Sequence, residues 1–160
     1  MDNNYKDIIP SVVYATQNGA TKSIEYMSDP VFAQKTLGDG MFVIPTEGIV
    51  ASPVKGKLIV VSETKHAYGI LADDGAEILV HVGVDSVILN GKGFISSVKV
   101  GDHVDVGTLL CTIDLDIFEN EQISSETAIV IANKDKFHII KKYEHDTVTK
   151  SEKIFEYIRK

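Results

Sequence analysis

Short apolar runs separated by glycine constrain this chain more than any other feature. The runs are Ile8–Ile9, Val12–Tyr14, Met41–Ile44, Leu58–Val61, Glu77–Val82, Leu109–Ile113 and Ala128–Ala132. They are rich in valine and isoleucine, and twelve glycines together with Asp and Asn punctuate them. Short β-branched runs between turn residues read as strands, because they fit a pleated, half-buried surface and are too brief for a buried helix. Many short strands at close, regular spacing predict an all-β sandwich or barrel. Helical candidates are few. Asp114–Glu121 has an acidic start, and Pro30–Leu37 can form one turn. Ser151–Arg159 fits two patterns: Ile154, Phe155 and Ile158 suit a helical face, while Ile154, Glu156 and Ile158 alternate as in a strand.

The chain has 160 residues. At roughly 150 residues per domain this predicts a single domain, able to bury about 70% of its unfolded surface. Residues 15–160 are expected to form it, with 1–14 a partly flexible N-terminal extension whose first seven polar residues fray. Gly turns leading into Leu58, Val104 and Leu110 hint at a duplicated β unit. The net charge of −7 makes nucleic acid or an anionic membrane a poor partner. The single cysteine, Cys111, excludes an internal disulfide and a cysteine-rich zinc site. No apolar run approaches the ~18 residues of a membrane span, and Met1–Tyr5 lacks signal-peptide features. The expectation is a soluble, cytoplasmic protein whose partners are other proteins.

The chemistry concentrates between Thr64 and Asp85. Two strand-like runs flank Ala72-Asp73-Asp74-Gly75, a good four-residue hairpin loop. If Leu71 pairs with Ala76 across it, the register puts His66 directly opposite His81. One neutral imidazole can then act as a nucleophile while its neighbour donates a hydrogen bond to an arriving anion. Thr64, two residues before His66, can hold one ring nitrogen and fix the tautomer. A lone histidine on an apolar strand is more often a satisfied core residue. Two in register, with Thr64 and Asp85 nearby, point to a site.

These residues resemble the glucose-type IIA domain of the bacterial phosphoenolpyruvate:sugar phosphotransferase system. The ordered pieces are Asp29–Gly40, Val50–Gly56, Glu63–Ala67, Val80–Val87, Gly91–Phe94 and Val100–Asp102. The resemblance implies an all-β fold: an antiparallel β-sandwich or barrel, the duplicated hybrid motif, with a few short helical turns. It implies that His81 accepts a phosphoryl group on Nε2 from phospho-HPr and passes it to a cysteine of a sugar-specific IIB domain. It also implies that His66 stabilises the transfer, that Thr64 orients His66, and that Asp29, Phe32, Val82 and Asp85 serve partner docking. Phe32 and Val82 would form an apolar rim that keeps water from the intermediate. No cofactor is expected and no metal site within the chain alone; zinc on His66 and His81 with a carboxylate supplied by a partner is a family possibility, as are regulatory targets. The chain departs from the family pattern at Ser62 and Leu79, where some members carry phenylalanine, and it lacks a glycine turn near Thr149–Lys153.

The remaining candidates read as structural: His103 as solvated, His138 and His145 as outside any motif, Cys111 as apolar filler, and Glu63, Asp73 and Asp74 as solvated turn residues. Rival readings are a non-catalytic regulatory protein of the same fold and a zinc-dependent hydrolase of a related β-sandwich class. The hydrolase needs a His-x-His pair, which this chain lacks.

Overall fold

The computed structural model describes residues 8–160, so the expectation for the first seven lies outside the described residues. The strands are β1 (Ser11–Tyr14), β2 (Gly19–Ser23), β3 (Asp39–Pro45), β4 (Ile49–Ala51), β5 (Gly56–Val61), β6 (Ala67–Ala72) and β7 (Glu77–Val82). They continue with β8 (Phe94–Ile95), β9 (His103–Val104), β10 (Leu109–Ile113), β11 (Thr127–Ile131), β12 (Phe137–Lys142), β13 (His145–Val148) and β14 (Lys153–Arg159). An eight-stranded sheet runs β13-β2-β3-β11-β7-β6-β5-β9, and two three-stranded sheets run β1-β14-β12 and β4-β10-β8. The strand pairs are antiparallel. The all-β class expected from the run pattern is the one observed.

The expected short helices are present as α1 (Pro30–Ala33) and α2 (Leu115–Asn120). Each starts behind an aspartate. Asp29 Oδ1 accepts from the Val31 amide, and Asp114 Oδ1 accepts from the Asp116 amide. Each satisfies a backbone donor that the helix start leaves unpaired.

Two apolar clusters place the site. In β7, Ile78, Val80 and Val82 point to the main core, where Tyr68, Ile70, Met41 and Ile129 meet them. The intervening residues Glu77, Leu79 and His81 point to the opposite face, as the two-residue period of a strand requires. That second face has its own smaller cluster: Ile24, Met27, Phe32, Phe42, Ala128 and Val130, with Leu79 against it. The central strand β11 is therefore buried along its whole length, as its unbroken apolar run reflects.

Two expectations change. The folded unit does not start at Ala15. Ser11–Tyr14 pairs with β14, and Val13 is fully buried, because the Val12–Tyr14 run finds a strand partner at the other end of the chain. The ambiguous segment Ser151–Arg159 resolves as a strand. Ile154, Phe155, Tyr157 and Ile158 are buried on both faces of β14, which gave it a helix-like apolar spacing. The turn before it uses Ser151 in the left-handed conformation (φ 69°), the role expected of a glycine.

Candidate functional site

The β6–β7 hairpin closes more tightly than its sequence suggested. The Gly75 amide donates to the Ala72 carbonyl, and the Ala72 amide donates to the Ala76 carbonyl. Asp73, Asp74 and Gly75 thus form a three-residue loop ending in a left-handed glycine (φ 94°). One loop residue fewer shifts the register by one. Leu71 pairs with Glu77, and Ala67, not His66, lies opposite His81. Asp74 is not simply a solvated turn residue. It accepts from Ser11 Oγ and from the Ala76 amide. Burial would raise its pKa, but hydrogen bonds from Tyr157 and Ser11 pull it below the ordinary carboxylate range.

The imidazoles nevertheless meet. His66 sits just outside β6, in the turn 62–66, where Lys65 adopts a left-handed conformation (φ 66°). The chain leaves the strand direction there, and the His66 ring reaches the His81 face. The two ring centroids are 5.1 Å apart and nearly perpendicular, at 82°. So the juxtaposition expected from the hairpin is present, but the turn supplies it and the sheet register does not.

Small residues make room for the pair. The cross-strand neighbours of His81 are Ala67 on β6 and Ala128 on β11. Neither fills the space above the sheet. Phe32 closes another side, its ring centroid 5.2 Å from that of His81. The Nδ1 of His81 is 3.0 Å from the Gly83 carbonyl, which can only accept. That contact puts the proton on Nδ1 and leaves Nε2 bare, which is the nucleophilic form. Gly83 itself is tightly placed. A Cβ there would come 2.8 Å from Ser86 Cβ and 3.0 Å from Phe118 Cε2.

Around His66, Thr64 Oγ1 lies 2.6 Å from Nδ1, as expected of an orienting hydroxyl. Two further residues hold the turn. Ser62 Oγ accepts from the amides of His66 and Ala67 and lies 3.3 Å from His66 Nδ1. The buried Tyr68 hydroxyl donates to the Lys65 carbonyl at 2.7 Å. Tyr68 is absent from the expected site, and Ser62 entered it only as a departure from the family pattern. Tyr68 carried a signal: two residues after His66, on the core face of β6, its hydroxyl needs a nearby carbonyl.

Electrostatics keep both rings neutral near pH 7. Burial pushes His66 below the ordinary imidazole range, and the charge of protonated His81 adds to the effect. Burial also lowers His81, opposed by its bond to Gly83 and by the carboxylates of Asp29 and Asp85. Asp29 is half-buried at the start of α1, and Asp85 is exposed with a left-handed backbone (φ 55°).

The structure corrects the expected docking set in part. Val82 is 0% exposed and belongs to the main core, since alternation along β7 turns it away from His81. It has no exposed surface to offer a partner or a rim. Phe32, 1% exposed, is a wall behind His81 and not a contact surface. The exposed apolar residues beside them are Val31, next to Phe32, and Val87 and Ile88, just after Asp85. A cavity of about 680 Å³ near Gly48, Phe94, Thr112 and Ile117 contains neither histidine. Among the described residues, no three His, Cys, Asp or Glu side chains converge as a metal site would need.

A β fold that holds one imidazole bare at Nε2 beside a second, hydroxyl-braced imidazole defines a class: the small phosphoryl-carrier domains. The comparisons specify it. Residues 11–137 match the family described as phosphoenolpyruvate-dependent sugar phosphotransferase system, EIIA 1. The glucose-specific EIIA component of Staphylococcus aureus is 44% identical over 147 residues, covering 92% of this chain and 87% of its own. The Bacillus anthracis component of the same description is 44% identical over 138 residues, covering 86% and 84%. Among solved structures, the glucose permease IIA from Mycoplasma capricolum superposes with a TM-score of 0.87 at 31% identity, covering 93% of this chain and 96% of that one. The chain belongs to the EIIA 1 family of the phosphotransferase system, and it is a phosphoryl carrier of sugar uptake. Neither the hydrolase nor the purely regulatory reading is favoured.

Proposed function

We propose that His81 carries the phosphoryl group on Nε2, taken from phospho-HPr and given to a cysteine of a IIB domain, in the cytoplasm. The observation that carries this reading is the His81 Nδ1 contact with the Gly83 carbonyl beside the His66 ring. In the first transfer the P–N bond to the HPr histidine breaks as a P–N bond to His81 Nε2 forms. In the second, that bond breaks as a P–S bond to the IIB cysteine forms. His66 donates from Nε2–H to an oxygen of the group in flight, and Thr64 holds His66 in place. Transfer of this kind needs positioning and charge stabilisation more than covalent machinery.

A shallow site suits a reaction whose donor and acceptor are side chains of other proteins. Val31, Val87 and Ile88 offer apolar contact around it, and Asp29 and Asp85 add negative charge that favours partners with a basic docking face. Incubation with enzyme I, HPr and labelled phosphoenolpyruvate tests the assignment. Wild type is expected to take up acid-labile, alkali-stable label, and His81→Ala none. His66→Ala is expected to accept label but fail to pass it to IIB. A wild type that takes no label from phospho-HPr overturns the reading.

A further inference from the structure

Ser62 has a hydrogen-bonding capacity that the transfer chemistry above leaves unused. A hydroxyl oxygen offers two acceptor sites and one hydrogen. The amides of His66 and Ala67, at 3.1 and 3.0 Å, occupy both acceptor sites of Ser62. What remains is its O–H, and His66 Nδ1 lies 3.3 Å away. A protonated Nδ1 would point its hydrogen at an oxygen with no lone pair to spare. A bare Nδ1 can accept the Ser62 hydrogen. Thr64, at 2.6 Å from the same nitrogen, makes no such choice, because its hydroxyl serves equally as donor to a bare Nδ1 or acceptor from Nδ1–H.

We propose that Ser62 is a positioning residue that selects the His66 tautomer bare at Nδ1 and protonated at Nε2. That tautomer presents an N–H toward the His81 side, where a phosphoryl oxygen would arrive. Thr64, expected from its spacing to fix the tautomer, then fixes only the ring angle, and Ser62 fixes the proton. The consequence for transfer rests on the carrier reading of the site, but the tautomer itself is a property of the free domain.

The test is the imidazole ¹⁵N spectrum of His66 in the unphosphorylated protein, above the pH at which either ring charges. Wild type is expected to show a pyridine-type Nδ1 and a pyrrole-type Nε2. Ser62→Ala is expected to show averaged nitrogens, and its transfer to IIB is expected to slow about three- to tenfold, the loss of one neutral hydrogen bond. Ser62→Thr, which keeps the hydroxyl, is expected to restore both. A wild type with the proton on Nδ1 overturns the proposal without any variant. So does Ser62→Ala with an unchanged Nε2–H tautomer, since Ser62 would then only brace the turn. A wild type that takes no label from phospho-HPr sinks the carrier reading instead and leaves the tautomer result standing.

Discussion

At the scale of single residues, burial and charge set opposite limits on His81. Burial lowers its pKa, while Gly83, Asp29 and Asp85 raise it, and burial wins. An imidazole free in water titrates near about 6.5. In the transfer proposed above the acceptor is the bare Nε2, so the rate of uptake is expected to stay level from about pH 8 down to about 6.5, the ordinary value, and to fall only below it. Asp29→Asn removes one carboxylate that favours the charged ring, so its midpoint is expected to move further to acid. A pH–rate profile of label uptake reads both, and a wild-type midpoint above the ordinary imidazole value contradicts the geometry. The same shifts make the fold acid-sensitive. Both rings have folded pKa values below the unfolded one, so the unfolded chain binds protons first. Stability is thus lost as pH falls from about 6.5 toward the folded values. Cys111 is a simpler case. Burial pushes its thiol up to about 11, and it is fully enclosed. It is expected to resist iodoacetamide in the native protein and to react after denaturation, as mass spectrometry would record.

At the scale of elements, the bend after β7 ties stability to chemistry. Gly83 has φ 88° and no room for a Cβ. Gly83→Ala is expected to cost about 1–3 kcal/mol from the left-handed backbone alone. Because the Gly83 carbonyl holds His81 Nδ1, label uptake should fall beyond what unfolding explains. Urea titration beside an uptake assay separates the two losses. β14 makes a different demand. Phe155 is fully buried in the main core, and Phe155→Ala is expected to cost about 3–5 kcal/mol. A urea-midpoint change equivalent to less than about 1 kcal/mol would mark β14 as peripheral. These elements also show what the sequence could and could not disclose. Strands built on apolar runs, such as β3, β7 and β11, were legible from the pattern of runs and turn residues. The polar edge strand β13 and the two-residue β8 were not, because pairing defines them more than side chains do, and the two-residue β9 was signalled only by the glycine turn before Val104. β14 was ambiguous because burial on both faces erased its alternation. In the site, the pairing of His66 and His81 was legible, but the register was not, since it turned on whether Ala72 belongs to the loop. The burial of Val82 was readable from alternation once His81 was taken to face the site. Ser62 was visible only as a departure from the family pattern, because a serine in a turn does not disclose which groups it will bond.

At the scale of the whole molecule, the question is whether the net charge of −7 or its placement governs encounter with a partner. Asp29 and Asp85 both act on His81, so part of the charge lies where a basic docking face would approach. Exposed charges are screened over about 10 Å at 0.1 M salt and about 3 Å at 1 M. Apolar contact through the exposed Val31, Val87 and Ile88, in the docking proposed above, would not be screened at all. The bimolecular rate of phosphoryl uptake at low HPr is therefore expected to fall with salt, while the rate at saturating HPr holds. Asp85→Lys is expected to lower the low-salt rate about tenfold and to flatten most of its salt dependence. Asp146→Lys changes the net charge equally. Asp146 lies on the edge strand β13, four strands from β7 and so roughly 19 Å away across the sheet. That distance exceeds the screening length at 0.1 M salt, so this variant is expected to keep both the rate and its slope. Stopped-flow or quench measurements over a salt series decide the matter. Equal losses in the two variants would mean that total charge steers the encounter and that the carboxylates beside the histidines have no special part in it.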